Sequence, residues 1–62
     1  MTNRHYTIRA IFADGDTIEV TGSNKKTAEN RYIEARNAAD KYDVIAFQIT
    51  TPRGITKEVS QL

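Results

Sequence analysis

Cysteine and tryptophan are absent from this 62-residue chain, proline and histidine occur once each, and glycine occurs three times. Without cysteine there is neither a disulfide framework nor a thiolate metal site. The single His5 does not make a zinc or iron centre, which needs several ligands at once. No apolar run approaches the roughly 20 residues that cross a bilayer, and the start of the chain has no apolar leader core. An intracellular, reducing compartment is therefore expected. An excess of one charge is also missing, since nine Lys and Arg face eight Asp and Glu for a net charge of +1. Proteins held to nucleic acid mainly through phosphates carry a clear basic excess, so that class is disfavoured unless a local patch compensates.

What remains is the composition of one small globular domain spanning residues 1–62, with 39% hydrophobic and 27% charged residues. In a chain this short, apolar burial and ordering entropy nearly cancel, so self-association or partner binding is expected to contribute to its working stability.

Hydrophobic periodicity gives the elements. Tyr6, Ile8, Ala10 and Phe12 alternate with Thr7, Arg9 and Ile11, the period of a half-buried strand. Ile18 and Val20 alternate with Thr17, Glu19 and Thr21 in a second strand. The intervening Ala13-Asp14-Gly15 suits a three-residue hairpin loop with glycine in the left-handed position. That loop pairs Phe12 with Asp16, Ala10 with Ile18 and Ile8 with Val20, so the apolar members share one face. Gly22 is expected to break the second strand, and Ser23 or Asn24 to cap a helix.

From Lys25 to about Tyr42 there is neither Gly nor Pro. Ala28, Tyr32, Ala35, Ala39 and Tyr42 recur at steps of three and four, forming one stripe. The alanines at 35, 38 and 39 are expected to let the helix approach a sheet. A third strand is expected from about Val44 to Thr50, with Ile45, Phe47 and Ile49 inward and Val44, Ala46 and Gln48 outward. Thr51-Pro52-Arg53-Gly54 is a turn that pairs Thr51 with Ile55, Ile49 with Lys57 and Phe47 with Val59. Ile55 and Val59 then join the core while Lys57 snorkels at the rim. The expected fold is α+β in the order ββαββ, a four-stranded antiparallel sheet with one helix packed on one face.

Catalysis finds little support. His5 is the only neutral-pH base, and it sits at the frayed start of the first strand. Asp14 and Asp16 flank Gly15, but a calcium loop needs more oxygen ligands and a terminal Glu, so turn formation explains them better. The three glycines are scattered at turns or breaks and make no phosphate-cradling loop. No catalytic residue, cofactor or metal is assigned.

Binding surfaces are the better prospect, and the sequence offers three. The first is nucleic acid through Lys25, Lys26, Arg31, Arg36 and Lys41 of the helix. Helical steps scatter these cations, and Glu29, Glu34 and Asp40 interleave with them. The second is protein binding through Ile33 on the outer side of the helix, or through the open sheet face. That face carries Arg9, Ile11, Val44 and Ala46 among threonines and lacks the aromatics that stack single-stranded bases. The third is self-association through an edge strand or the open face.

The segments TIEVTGSNKKTAENRYIEARNAA and VIAFQITTPRGITKEV carry a likeness of architecture. A strand enters a Ser/Thr-capped, basic, alanine-containing helix, and a glycine-turned terminal hairpin follows. In this the chain resembles very small phage- or prophage-encoded ββαββ proteins, among them some anti-CRISPR proteins aimed at type I systems. The resemblance implies a stoichiometric, non-enzymatic inhibitor that sits on a host protein or nucleoprotein complex in the host cytoplasm. It also implies that Lys25, Lys26, Arg31 and Arg36, or Arg53 in the second hairpin turn, are contact residues. No signature residue transfers one by one.

Overall fold

The computed structural model describes residues 5–62, so the reading of the extreme N-terminus against a leader falls partly outside the described residues. The element order is β1 (Tyr6–Phe12), β2 (Thr17–Gly22), α1 (Lys25–Ala39), β3 (Val44–Thr50) and β4 (Thr56–Val59). All four strands are antiparallel neighbours in one sheet of order β2-β1-β3-β4. The α+β, ββαββ expectation holds.

Both hairpins have the expected register and share one turn design. In the first, Phe12 N–H donates to the Asp16 carbonyl at 2.9 Å and Gly15 N–H to the Phe12 carbonyl at 3.0 Å. In the second, Thr51 N–H donates to the Ile55 carbonyl and Gly54 N–H to the Thr51 carbonyl, both at 2.9 Å. Gly15 and Gly54 take φ of 92° and 88°, a left-handed conformation that a Cβ disfavours. Ile8 faces Val20, Ala10 faces Ile18, Ile49 faces Lys57 and Phe47 faces Val59.

Asn24 is the N-cap of α1: its side-chain oxygen accepts from Thr27 N–H at 2.8 Å, a contact worth about 1 kcal/mol. The helix lies over β2 and β1. Its closest approach is not made by the alanines at 35, 38 and 39, of which Ala38 and Ala39 are exposed. It is made at Gly22, the buried last residue of β2, where an added Cβ would stand 2.5 Å from the Ala28 nitrogen and 2.9 Å from its Cα. Gly22 therefore does not break the strand; it gives the first helical turn room to sit on it.

The buried core is Ile8, Ala10, Phe12, Ala28, Tyr32 and Phe47, with Tyr6, Ile18, Val20, Val44, Ile49 and Val59 packed around it. Full burial of each large apolar side chain contributes roughly 1.5–3 kcal/mol. Tyr32 reaches beyond β1 to meet Phe47 of β3 edge-to-face, with ring centroids 5.3 Å apart at 87°. Such pairing adds about 1 kcal/mol beyond burial.

Four expected core residues are exposed, for three physical reasons. Asp40 adopts a left-handed conformation (φ 56°) and closes the helix after Ala39, short of Tyr42. Ala39 thus lies in the last turn and Tyr42 beyond it, 61% exposed. Between β1 and β3 the register shifts: Ile11 faces Ala46, but Phe12 faces Val44. Two residues of β3 then oppose one of β1, and the inside–outside alternation is offset by one. Val44, expected on the open face, packs against the core, while Ile45 is 60% exposed. Ile55 precedes β4, lies beyond the helix's reach and is 53% exposed.

Because the clash at position 22 involves helix backbone, Gly22→Ala is expected to destabilise the fold by about 2–3 kcal/mol. Gly15→Ala, with nothing within 4 Å of the added carbon, should cost only the left-handed backbone penalty of about 1 kcal/mol. Urea unfolding of the two variants checks this order; equal losses would contradict the close-approach role of Gly22.

Candidate functional site

The sheet has two unlike sides. On the side away from α1, strand register builds cross-strand rows. One row runs Thr21, Thr7, Thr50, Thr56 through all four strands; the next runs Glu19, Arg9, Gln48, Glu58. A third holds Thr17, Ile11 and Ala46. Thr7, Arg9, Glu19, Gln48, Thr50 and Thr56 line a shallow depression of about 220 Å³. The hydroxyls of Thr50 and Thr56 lie 2.9 Å apart in a hydrogen bond. Arg9 Nη2 lies 3.5 Å from Glu19 Oε1, with both side chains about half exposed. Ile11 is half-buried among these polar neighbours.

The sequence-selected cations do not converge on one surface. Lys25 sits at the start of α1, 4.0 Å from Glu29 one turn on. Arg31 Nη1 donates to the Thr21 carbonyl at 2.8 Å, tying the helix to β2 and occupying a backbone acceptor of that edge strand. Arg36 lies over the rings of Tyr32 and Tyr42, 5.6 and 5.4 Å from their centroids. Its Nε is buried without a hydrogen-bond partner among the described residues, as is the Tyr32 hydroxyl. Lys26 and Arg53 are exposed and form no ion pair among the described residues, and the same holds for Lys57. Arg9 and Ile11 belong to the open face, Arg53 to the far hairpin turn and Ile33, 42% exposed, to the outer side of the helix.

Lys41 carries the densest polar cluster. Its Nζ is 2.7 Å from Oδ2 of both Asp14 and Asp16, and 5.7 Å from the centroid of the Phe12 ring. Asp14 Oδ1 also accepts from Asp16 N–H at 3.0 Å, which shapes the loop. The two aspartates are thus turn formers that clamp the chain leaving α1 to the first hairpin. Ala13 N–H donates to the Asp43 carbonyl at 3.0 Å and reinforces the same junction. The sequence placed Lys41 among the scattered helix cations; only the early end of the helix brings it to the hairpin.

No family model, curated protein or solved structure matches the chain.

The hydrogen bond from Lys41, aided by that from Asp16 N–H, holds the Asp14 carboxyl below its ordinary value of 3.8. A carboxyl lowered in the folded state contributes stability above its unfolded pKa, and that contribution disappears as pH falls through the folded value. Lys41, raised above its ordinary 10.5 by the two aspartates, contributes below that value and loses the contribution as pH rises through the folded one. Unfolding free energy is therefore expected to fall on acidification from about pH 5 to about pH 2, and Lys41→Met to flatten that slope. Identical slopes in the two proteins would contradict the clamp.

Proposed function

We propose that this chain is a small non-enzymatic binding protein whose partner is a protein or nucleoprotein complex rather than bare nucleic acid. The observation that carries this reading is the commitment of Lys25, Arg31 and Arg36 on the helix and of Lys41 just beyond it, which leaves Lys26 as the helix cation without an ion pair or other such contact among the described residues. Arg31 holds a backbone carbonyl, Arg36 lies on two tyrosines, Lys41 clamps two aspartates and Lys25 pairs with Glu29. Cations held this way are poorly placed to track a phosphate backbone, whose affinity scales with the number of phosphates neutralised. The chemistry of the open face supports the same reading. Arg9 and Glu19 hold each other beside hydroxyls and an amide, groups suited to recognition by hydrogen bonds.

The likeness in architecture to small phage-encoded inhibitors makes a host defence or nucleic-acid-processing complex the first class of target to examine. The test is an affinity pull-down of the tagged chain from a bacterial lysate with and without nuclease. The expected result is a stoichiometric protein partner that survives nuclease. Loss of every partner on nuclease treatment, or affinity that falls steeply with salt and softens in Lys25→Ala and Lys26→Ala, would overturn the reading in favour of direct nucleic-acid binding.

A further inference from the structure

Arg36 and Lys57 lie on the side of the sheet that α1 packs against, and neither forms an ion pair among the described residues. Arg36 is half-buried, with its guanidinium against the rings of Tyr32 and Tyr42. Tyr32 is 2% exposed, and the Tyr42 hydroxyl is tied back to the helix at Asn37 Oδ1, 3.4 Å away. The stacking therefore fixes the guanidinium without neutralising it. A guanidinium held this way presents a planar fork of donors that matches one carboxylate. Lys57 faces Ile49, which in turn faces the buried Ile8, so register sets it on the same side of the sheet.

An apolar strip lies between the two cations. Each strand adds about 4.8 Å of width and a helix covers about 10 Å, so one helix covers two strands. With α1 over β2 and β1, Ile49 of β3 and Val59 of β4 are left half-buried, and Ile55 at their margin is 53% exposed. The helix starts beside Gly22 and the chain leaves it beside Asp14, so α1 runs parallel to β1. Tyr32 meets Phe47, which faces Val59, and Arg36 lies one turn further toward Asp14. Lys57 lies in the other direction, beside Ile49. The strip thus has a fixed cation toward one end and a solvated one toward the other.

We propose that this strip docks an acidic amphipathic helix of a protein partner, its apolar side chains on Ile49, Val59 and Ile55 and its carboxylates on Arg36 and Lys57. The proposal rests on the reading that the partner is a protein, and it supplies the chemistry of that partner. Charge decides the occupant. Lys25 and Glu29 balance each other, and Asp40 and Asp43, which follow the helix, form no ion pair with either cation. The apolar floor suits methyl groups rather than the phosphates and sugars of a nucleic acid. Length agrees: the 7 residues of β3 extend about 23 Å, which a helix of about 15 residues matches.

The test is an NMR titration of the full chain with a synthetic helical peptide of about 15 residues, a leucine stripe flanked by glutamates. A control peptide keeps the stripe and replaces every glutamate by lysine. The glutamate peptide should shift the methyl signals of Ile49, Ile55 and Val59 and the Nε–H signal of Arg36, with a dissociation constant at or below about 1 mM. The lysine peptide should bind at least about tenfold more weakly. Arg36→Gln and Lys57→Glu should each weaken the glutamate peptide at least about tenfold, while Arg9→Gln on the open face leaves it unchanged. Arg36→Lys keeps the charge but not the fork and should restore only part of the affinity. Lys57 is exposed, so Lys57→Glu tests the site even where Arg36→Gln perturbs packing. No shift at about 1 mM peptide, shifts confined to the threonine-bearing face, or equal binding of the two peptides would overturn the proposal. So would an affinity unchanged by both Arg36→Gln and Lys57→Glu. A nuclease-resistant protein partner captured equally by the parent chain and by these two variants would overturn the docking site and leave the proposed function standing.

Discussion

The contact between Gly22 and Ala28 fixes the position of the helix, and the rest of the structure follows from that position. With no side chain at Gly22, the first turn of α1 rests on the end of β2, and the Asn24 cap holds that turn in place. From there the helix projects Tyr32 beyond β1 to Phe47, so one ring joins the helix to the third strand. The same placement leaves the β3–β4 flank without a cover. A fully buried cluster of six residues is small for a domain, and much of its stabilisation comes from two aromatic rings and the aliphatic side chains they touch.

Polar contacts complete what the small core does not fix. Lys41 links the exit of the helix to the first hairpin, and Arg31 links its middle to the outer strand β2. Burying the Tyr32 hydroxyl without a hydrogen-bond partner among the described residues carries a penalty of about 1–3 kcal/mol, which its ring packing must exceed. Two chemically different surfaces result. One is a flat array of threonines with an arginine, a glutamine and two glutamates; the other is a half-covered apolar flank beside the helix.

The hairpins were legible because two independent signals agree in each. Left-handed glycines at 15 and 54 set loop length, and loop length together with alternation allows only one register in which the apolar residues share a face. The third strand was legible as a strand but not in its facing, because the bulge near Val44 and Ile45 has no glycine or proline to mark it. The helix end was hidden for a similar reason: Asp40 takes the left-handed position without glycine, so the periodicity runs on to Tyr42. Gly22 read as a strand breaker, since a need for close approach depends on a residue six positions away. The scatter of the cations around the helix was visible from helical steps alone. Glu29, one turn on from Lys25, was visible in the same way, but the partners of Arg31 and Lys41 were not, because a carbonyl on β2 or a carboxylate at a hairpin tip is a tertiary neighbour.

Half-coverage of the sheet is the claim on which the reading of both surfaces rests, and isoleucine methyl NMR with a soluble paramagnetic probe measures it directly. The methyls of Ile55 should broaden strongly while those of Ile8, 1% exposed, are spared. Equal protection of the two would contradict the account, because it would mean that the chain covers its own flank.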